Sequence, residues 1–386
     1  MECYFDNAAT TRVCTEAIEI MERVMREDYG NPSSKHIKGF EAEKYIRDAS
    51  HQIADTLHAA PKEIIFTSGG TESNNMALIG SALANKRKGN HVIASAFEHP
   101  AVYNPLLSLE DFGFEVEFVP VDNMGHVDPE RLASMVKDET VLVSIMYVNN
   151  ETGAVQDIKT LSKAVKEKNP QTVFHSDAIQ AYGKYAINPK KEGIDLMSVS
   201  GHKLHGPKGS GFLYAAEGVK LRPLIYGGGQ QKDRRSGTEN VPAIAGLGVA
   251  AERIYKDIDS RTDHLYSLKS HMIDLLRKFE WAHINAVDRD IRKTAPHILS
   301  VSFDGIKAEV LLHALEEKGI YVSSGSACSS NHPGISGTLK AIGVPQKLLD
   351  STLRFSFCAD NTTEEVEYCI ECLKELVPIY SRFARK

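Results

Sequence analysis

The sequence predicts an α/β fold, with a large domain built on a mainly parallel sheet and a smaller α+β domain after it. Three observations carry this expectation. Short β-rich runs alternate with helical patterns through the first two-thirds of the chain, as in sheets covered by helices on both faces. Several of those runs are continuously apolar, the pattern of strands buried on both sides. After about Gly248 the alternation gives way to a long helical stretch and then to more widely spaced strands. The expected division is 15–255 for the large domain, with 1–14 and 256–386 forming the small one.

In chain order, the strand signals of the large domain fall at 63–67, 91–95, 115–119, 141–148, 172–176, 195–199 and 211–214. Amphipathic stretches at 72–85, 128–137 and 158–168 lie between them. In the small domain a single helix is expected over 249–279. Strands follow at 298–303, 321–323 and 353–357, with helices at 308–317 and 337–342. Neither an internal repeat nor a low-complexity linker interrupts the pattern.

Composition narrows the classes. The 386 residues are 42% hydrophobic and 25% charged, enough apolar material for a large interior. A formal charge of −6 without a long basic stripe argues against direct nucleic-acid binding. No run approaches the roughly 20 apolar residues of a spanning helix, and the start lacks a basic segment followed by an apolar one. The expectation is a cytoplasmic protein without a membrane partner. Six cysteines in so long a chain do not make a disulfide framework. Cys369 and Cys372 form a CxxC, but Cys369 recurs at helical spacing with Val366, Ile370, Leu373, Leu376 and Val377, behind a Thr362–Glu365 capping box. A buried helix face is the better reading, and no metal site is expected.

Chemistry-bearing motifs cluster after strands. Ser68-Gly69-Gly70-Thr71-Glu72 is a strand–glycine turn–helix start, where free N–H groups and the Thr71 hydroxyl suit an anion. A plain tight turn explains it as well. His175-Ser176-Asp177-Ala178-Ile179-Gln180 ends an apolar strand, where ligands of open α/β sheets collect. Asp177 there suits a protonated ring nitrogen, although alone it reads as a helix cap. Ser200-Gly201-His202-Lys203 follows another apolar strand. A desolvated lysine at such a point can form a Schiff base with an aldehyde, whereas most lysines are merely exposed. Phosphate turn, ring-nitrogen acid and amine occur in the order that a pyridoxal 5′-phosphate site demands.

Three further residues belong to the argument. His99, in Glu98-His99-Pro100, suits ring stacking and proton transfer, or is only a helix-start histidine. Cys328 lies in the small-residue stretch Ser323–Gly334, a poor packing place for a thiol, so a nucleophile is the better reading. Arg354 sits within a strand-like run, where it either grips a substrate carboxylate or pairs internally.

These residues resemble the NifS/IscS-type cysteine desulfurases, fold-type-I pyridoxal-phosphate enzymes of the class-V aminotransferase superfamily. The likeness spans nearly the whole chain. It includes Phe5–Thr11, Gly30–Ser34, Ser68–Asn74, Val148–Gly153, Ser200–Lys203, Arg235–Asn240 and Ser324–Ser330. It implies conversion of L-cysteine to L-alanine, with the sulfur held as a persulfide on Cys328 for an acceptor protein of iron–sulfur or tRNA-thiolation chemistry. Lys203 would be the Schiff-base lysine, Asp177 the partner of the ring nitrogen, Gln180 a contact of the ring hydroxyl, and His99 the stacking proton carrier. Gly70, Thr71, Ser200 and His202 would hold the phosphate, with Thr238 reaching that of a second subunit in a homodimer. Asn150 and Arg354 would orient cofactor and substrate. A selenocysteine lyase, an aminotransferase or a non-catalytic sulfur-relay scaffold are the alternatives. Gln231-Lys232-Asp233 departs from the family pattern, which usually has an acid and then Arg-Gly there.

Overall fold

The computed structural model describes residues 1–324 and 336–381. Its strands are β1 (Cys3–Tyr4), β2 (Ile64–Thr67), β3 (His91–Ser95), β4 (Glu115–Val119), β5 (Thr140–Ser144), β6 (Val173–Asp177) and β7 (Leu196–Ser200). They continue with β8 (Gly211–Ala215), β9 (Ala282–Asn285), β10 (Ile298–Phe303), β11 (Ile320–Tyr321), β12 (Ser323–Ser324) and β13 (Thr352–Ser356).

Seven strands form the large sheet in the order β2-β8-β7-β6-β5-β3-β4. From β4 to β7 every neighbouring pair is parallel, and only β8 runs against its neighbours β7 and β2. Side chains alternate across a strand, and here both sides are filled. Ile93, Val143, Phe174, Met197 and Phe212 enter one core, while their neighbours Val92, Leu142, Val173, Leu196 and Leu213 enter another. That double burial is why these runs are apolar without interruption. The fold is the α/β class with a mainly parallel sheet that the sequence predicts.

The later residues build a second, antiparallel sheet in the order β12-β13-β10-β9, with β1 pairing in parallel to β11 nearby. Phe5, Leu268, Met272, Val301, Phe355 and Leu373 share its separate core. Cys369 and Cys372 are buried in the helix Thr363–Tyr380, and the Thr362–Glu365 capping box is made at its start.

The strand expected over 141–148 ends at Ser144, β1 is additional, and two further features depart from the expected elements. The single helix over 249–279 is two helices, Val241–Lys256 and Ile258–Leu276, broken at Asp257 with φ −130°. The break has a packing cause. Ala250, Ala251 and Ile254 belong to the core under the large sheet, whereas Leu265, Leu268 and Met272 belong to the second core. One straight helix carries one apolar stripe and cannot serve both. Strand β9 was not expected, because it is a half-buried edge strand with little apolar pattern.

Candidate active site

Thr67, Ser95, Ser144, Asp177 and Ser200 all end strands that point the same way across the large sheet. Beyond that edge lies a cavity of about 370 Å³. Gly70, Thr71, His99, Asn150, Asp177, Gln180, Ser200, His202, Lys203 and Arg354 all line it. Ten of the twelve residues singled out from the sequence therefore meet in one place. Thr238 does not: it is exposed on the loop after Gly237, away from this cavity. Cys328 lies outside the described residues.

The anion end of the cavity is the start of the helix Gly70–Asn85. Its cap, Gly69, has φ +151°, a conformation that side chains resist. A Cβ on Gly70 would stand 2.2 Å from Ile179 Cδ1 and 3.4 Å from Ser200 Cβ, so the bare backbone leaves the helix amides open to a ligand. His202 stands nearby, with its Nδ1 3.3 Å from Thr10 Oγ1. Burial, and then Lys203 and Lys208, push its pKa down to about 4, so it is neutral.

Asp177 is the buried acid. Asn74 Nδ2 donates to its Oδ2 at 2.8 Å, and the Ile179 amide donates to its Oδ1 at 3.0 Å. Burial pushes its pKa up; the Ile179 bond, then the His99 ring and Asn74, push the other way. At His99 the ring Nδ1 accepts the Ala101 amide at 3.0 Å and caps the helix Pro100–Ser108. That bond uses the Nδ1 lone pair, so the neutral ring carries its proton on Nε2. Burial lowers the His99 pKa and keeps the ring neutral.

Lys203 closes a short 3₁₀ turn directly after β7. Its ammonium donates to the carbonyls of Ala8 and Ala9, the latter at 2.7 Å. On the far wall, Arg354 of β13 is almost fully buried. It donates to the Asn150 carbonyl at 2.8 Å and to Asp6 at 2.9 Å, while its Nε has no hydrogen-bond partner among the described residues. The internal ion pair and the place in the cavity are thus both real.

Sequence reasoning missed several supports. Asp6 and Ala8 come from the far N-terminus, and no local pattern announces that they meet Arg354 and Lys203. Asn74 was visible only as part of a motif. Glu98 is buried beside Ser95 and Met146, accepting from both, and burial raises its pKa to about 8. It is a neutral brace at neutral pH. The unusual Gln231 also finds its reason: its amide accepts from Phe66 N at 2.7 Å and donates to Phe66 O at 2.9 Å. A carboxylate at that position could only accept. Elsewhere, His91, Glu115 and Glu117 gather metal-capable atoms within 4.8 Å, but Lys137 already pairs with both carboxylates.

The donor set fits pyridoxal 5′-phosphate. A helix start with an unobstructed glycine suits a phosphate, a buried carboxylate suits a ring nitrogen, and an amine stands between backbone carbonyls.

Comparison with known proteins points the same way. Residues 3–369 match the aminotransferase class-V family. A cysteine desulfurase IscS of Methanosarcina thermophila is 44% identical over 374 residues, covering 97% of this chain and 91% of that protein. A solved NifS-like protein superposes with a TM-score of 0.92 at 39% identity, covering 98% of this chain and all of that one. A structure of SspA in complex with cysteine has a TM-score of 0.81 at 33% identity, covering 93% of this chain and all of its own.

Proposed function

The chain belongs to the class-V aminotransferase family and, within it, to the cysteine desulfurases, and we propose that its cavity takes sulfur from L-cysteine and leaves L-alanine. One observation carries the reading: the Lys203 amine and the Asp177 carboxylate line one strand-end cavity with the bare helix start at Gly70–Thr71. Lys203 would hold the cofactor aldehyde, Gly70, Thr71, Ser200 and His202 its phosphate, and Asp177 its ring nitrogen. When bound, pyridoxal 5′-phosphate would supply an electron-withdrawing ring that makes the substrate's α-proton acidic and lets the carbon side hold the electron pair of the breaking C–S bond.

The chain's own groups do the rest. Arg354 orients the substrate carboxylate, helped by Asn150. The neutral His99 ring, whose Nδ1 is tied to the Ala101 amide, exchanges a proton at Nε2. The Cys328 thiolate attacks the substrate sulfur: an S–S bond forms and the C–S bond breaks. Its electron pair stays on carbon, which takes up a proton and departs as alanine. The product sulfur is left as Cys328–S–SH, ready for an acceptor protein of iron–sulfur or tRNA-thiolation chemistry.

The working form is a cytoplasmic homodimer in this proposal, with Thr238 serving the other subunit. Exposed apolar side chains support it: Tyr29, Ile37 and Phe40 in one segment, and Ile225 and Tyr226 beside the Thr238 loop. Residues 1–14 and 256–386 form its small domain.

The test is production of alanine and sulfide from L-cysteine by wild type, Lys203→Ala and Cys328→Ala, with an added dithiol to reduce the persulfide and release its outer sulfur as sulfide. Wild type should release both in equal amounts and carry a visible absorption band. Lys203→Ala should lose both the activity and the band, whereas Cys328→Ala should keep the band and release neither alanine nor sulfide. Unchanged sulfide release from Cys328→Ala would overturn the persulfide route.

A further inference from the structure

Gln180 lines the cavity, and its side-chain amide is held at both ends. Nε2 donates to the Ala8 carbonyl at 2.9 Å, and Oε1 faces His297 Nε2 at 3.1 Å. A carbonyl oxygen can only accept, so Ala8 demands the nitrogen end of the amide. The oxygen end must then face His297, and His297 must donate. One backbone carbonyl thereby dictates both the amide orientation and the imidazole tautomer.

His297 has no other visible use for that proton. It is 2% exposed and stands just before β10, where its carbonyl accepts the Phe357 amide at 2.9 Å. Its Nδ1 is buried without a hydrogen-bond partner among the described residues. Nδ1 would go unmet in either tautomer, so the Nε2–H bond to Gln180 is what selects this one. Burial, with Lys184, Lys269, Arg354 and Lys203 around it, keeps the ring neutral.

We propose that His297 is a positioning residue for the reaction: it holds the Gln180 amide with its nitrogen edge in the cavity, so that the second Nε2 hydrogen is presented to a phenolic oxygen of a bound ring. The inference rests on the cofactor reading above and deepens it. Without the His297 donor, the amide can rotate or flip, and an acceptor then faces the ring oxygen.

The experiment compares holoenzymes of wild type, His297→Leu, His297→Gln, Gln180→Ala and the double variant His297→Leu/Gln180→Ala. The readouts are the visible absorption maximum of the bound cofactor and its equilibrium affinity, with thermal melting as a control for folding. His297→Leu should displace the band in the same direction as Gln180→Ala and weaken cofactor binding by about tenfold, the worth of one hydrogen bond. His297→Gln, whose amide N–H reaches a similar distance, should restore both. In the Gln180→Ala background, His297→Leu should add no further displacement. A wild-type band in His297→Leu, or additive effects in the double variant, would overturn the proposal. Absence of any band in wild type would instead overturn the cofactor reading itself.

Discussion

Single residues in this protein are decided by what surrounds them rather than by their type. Lys203 and Lys269 are both lysines inside the fold, yet only one stands at a cavity. Lys269 is fully buried, with its ammonium on Thr294 Oγ1 and the Ala295 carbonyl at 2.7 and 2.8 Å. Burial lowers its pKa from 10.5 to about 7. Between those values the unfolded chain binds a proton that the folded chain does not, so this residue makes stability rise with pH across that window. Below about pH 7 both states are protonated and the contribution is at its floor. The melting temperature of wild type relative to Lys269→Met should therefore climb from pH 7 to pH 10; a pH-independent difference would refute the assignment. The same distinction governed what could be read from the sequence. Lys203 was legible because a glycine turn and an acid accompany it at successive strand ends. Lys269 was not, because helical periodicity marks a position as inward without saying what a polar group meets there. Likewise Asn74 could be seen in its motif, but its bond to Asp177 joins two elements that only folding brings together.

At the scale of elements, the central strands were the easiest to find. Their apolar runs are filled from both sides, so pattern and burial coincide in β3, β5, β6, β7 and β8. Elements that answer to two environments were harder. The stretch read as one helix breaks at Asp257 because its halves face different cores, and β9 shows a mixed pattern because one side meets solvent. The loop after Gly229 is another such element. Gln231, Lys232 and Asp233 all take positive φ, at 49°, 60° and 60°, a left-handed run that costs residues other than glycine. The Gln231 amide clamps this turn to strand β2 at Phe66. Replacing Asp233 with glycine should remove a backbone penalty without touching that clamp. We expect Asp233→Gly to stabilise the chain by up to about 1 kcal/mol in chemical denaturation, and a loss of stability would show that Asp233 contributes more than its conformation costs.

The whole molecule is organised around a cavity whose walls come from distant parts of the chain. The large sheet supplies Asp177 and Lys203, the small sheet supplies Arg354, and the first residues supply Asp6, Ala8 and Ala9. Strand β1 anchors that N-terminal segment against β11, and Asp6 bridges to Ser356 at the end of β13. Removing residues 1–9 should thus abolish cofactor binding, because the carbonyl partners of Lys203 and the counter-charge of Arg354 go together. Equilibrium titration with pyridoxal 5′-phosphate, beside far-ultraviolet circular dichroism, would check it; a truncated chain that folds and binds normally would contradict this account. The Asp6–Arg354 ion pair joins residues 348 positions apart, and it has a consequence for synthesis. During translation the first residues wait, unpaired, while almost the entire polypeptide is made. Until residue 354 clears the ribosome, the half-buried acid at position 6 has no guanidinium to meet and the cavity lacks a wall. A chain that stalls before that point would hold the glycine turn, the acid and the amine, yet would be unable to close around its ligand.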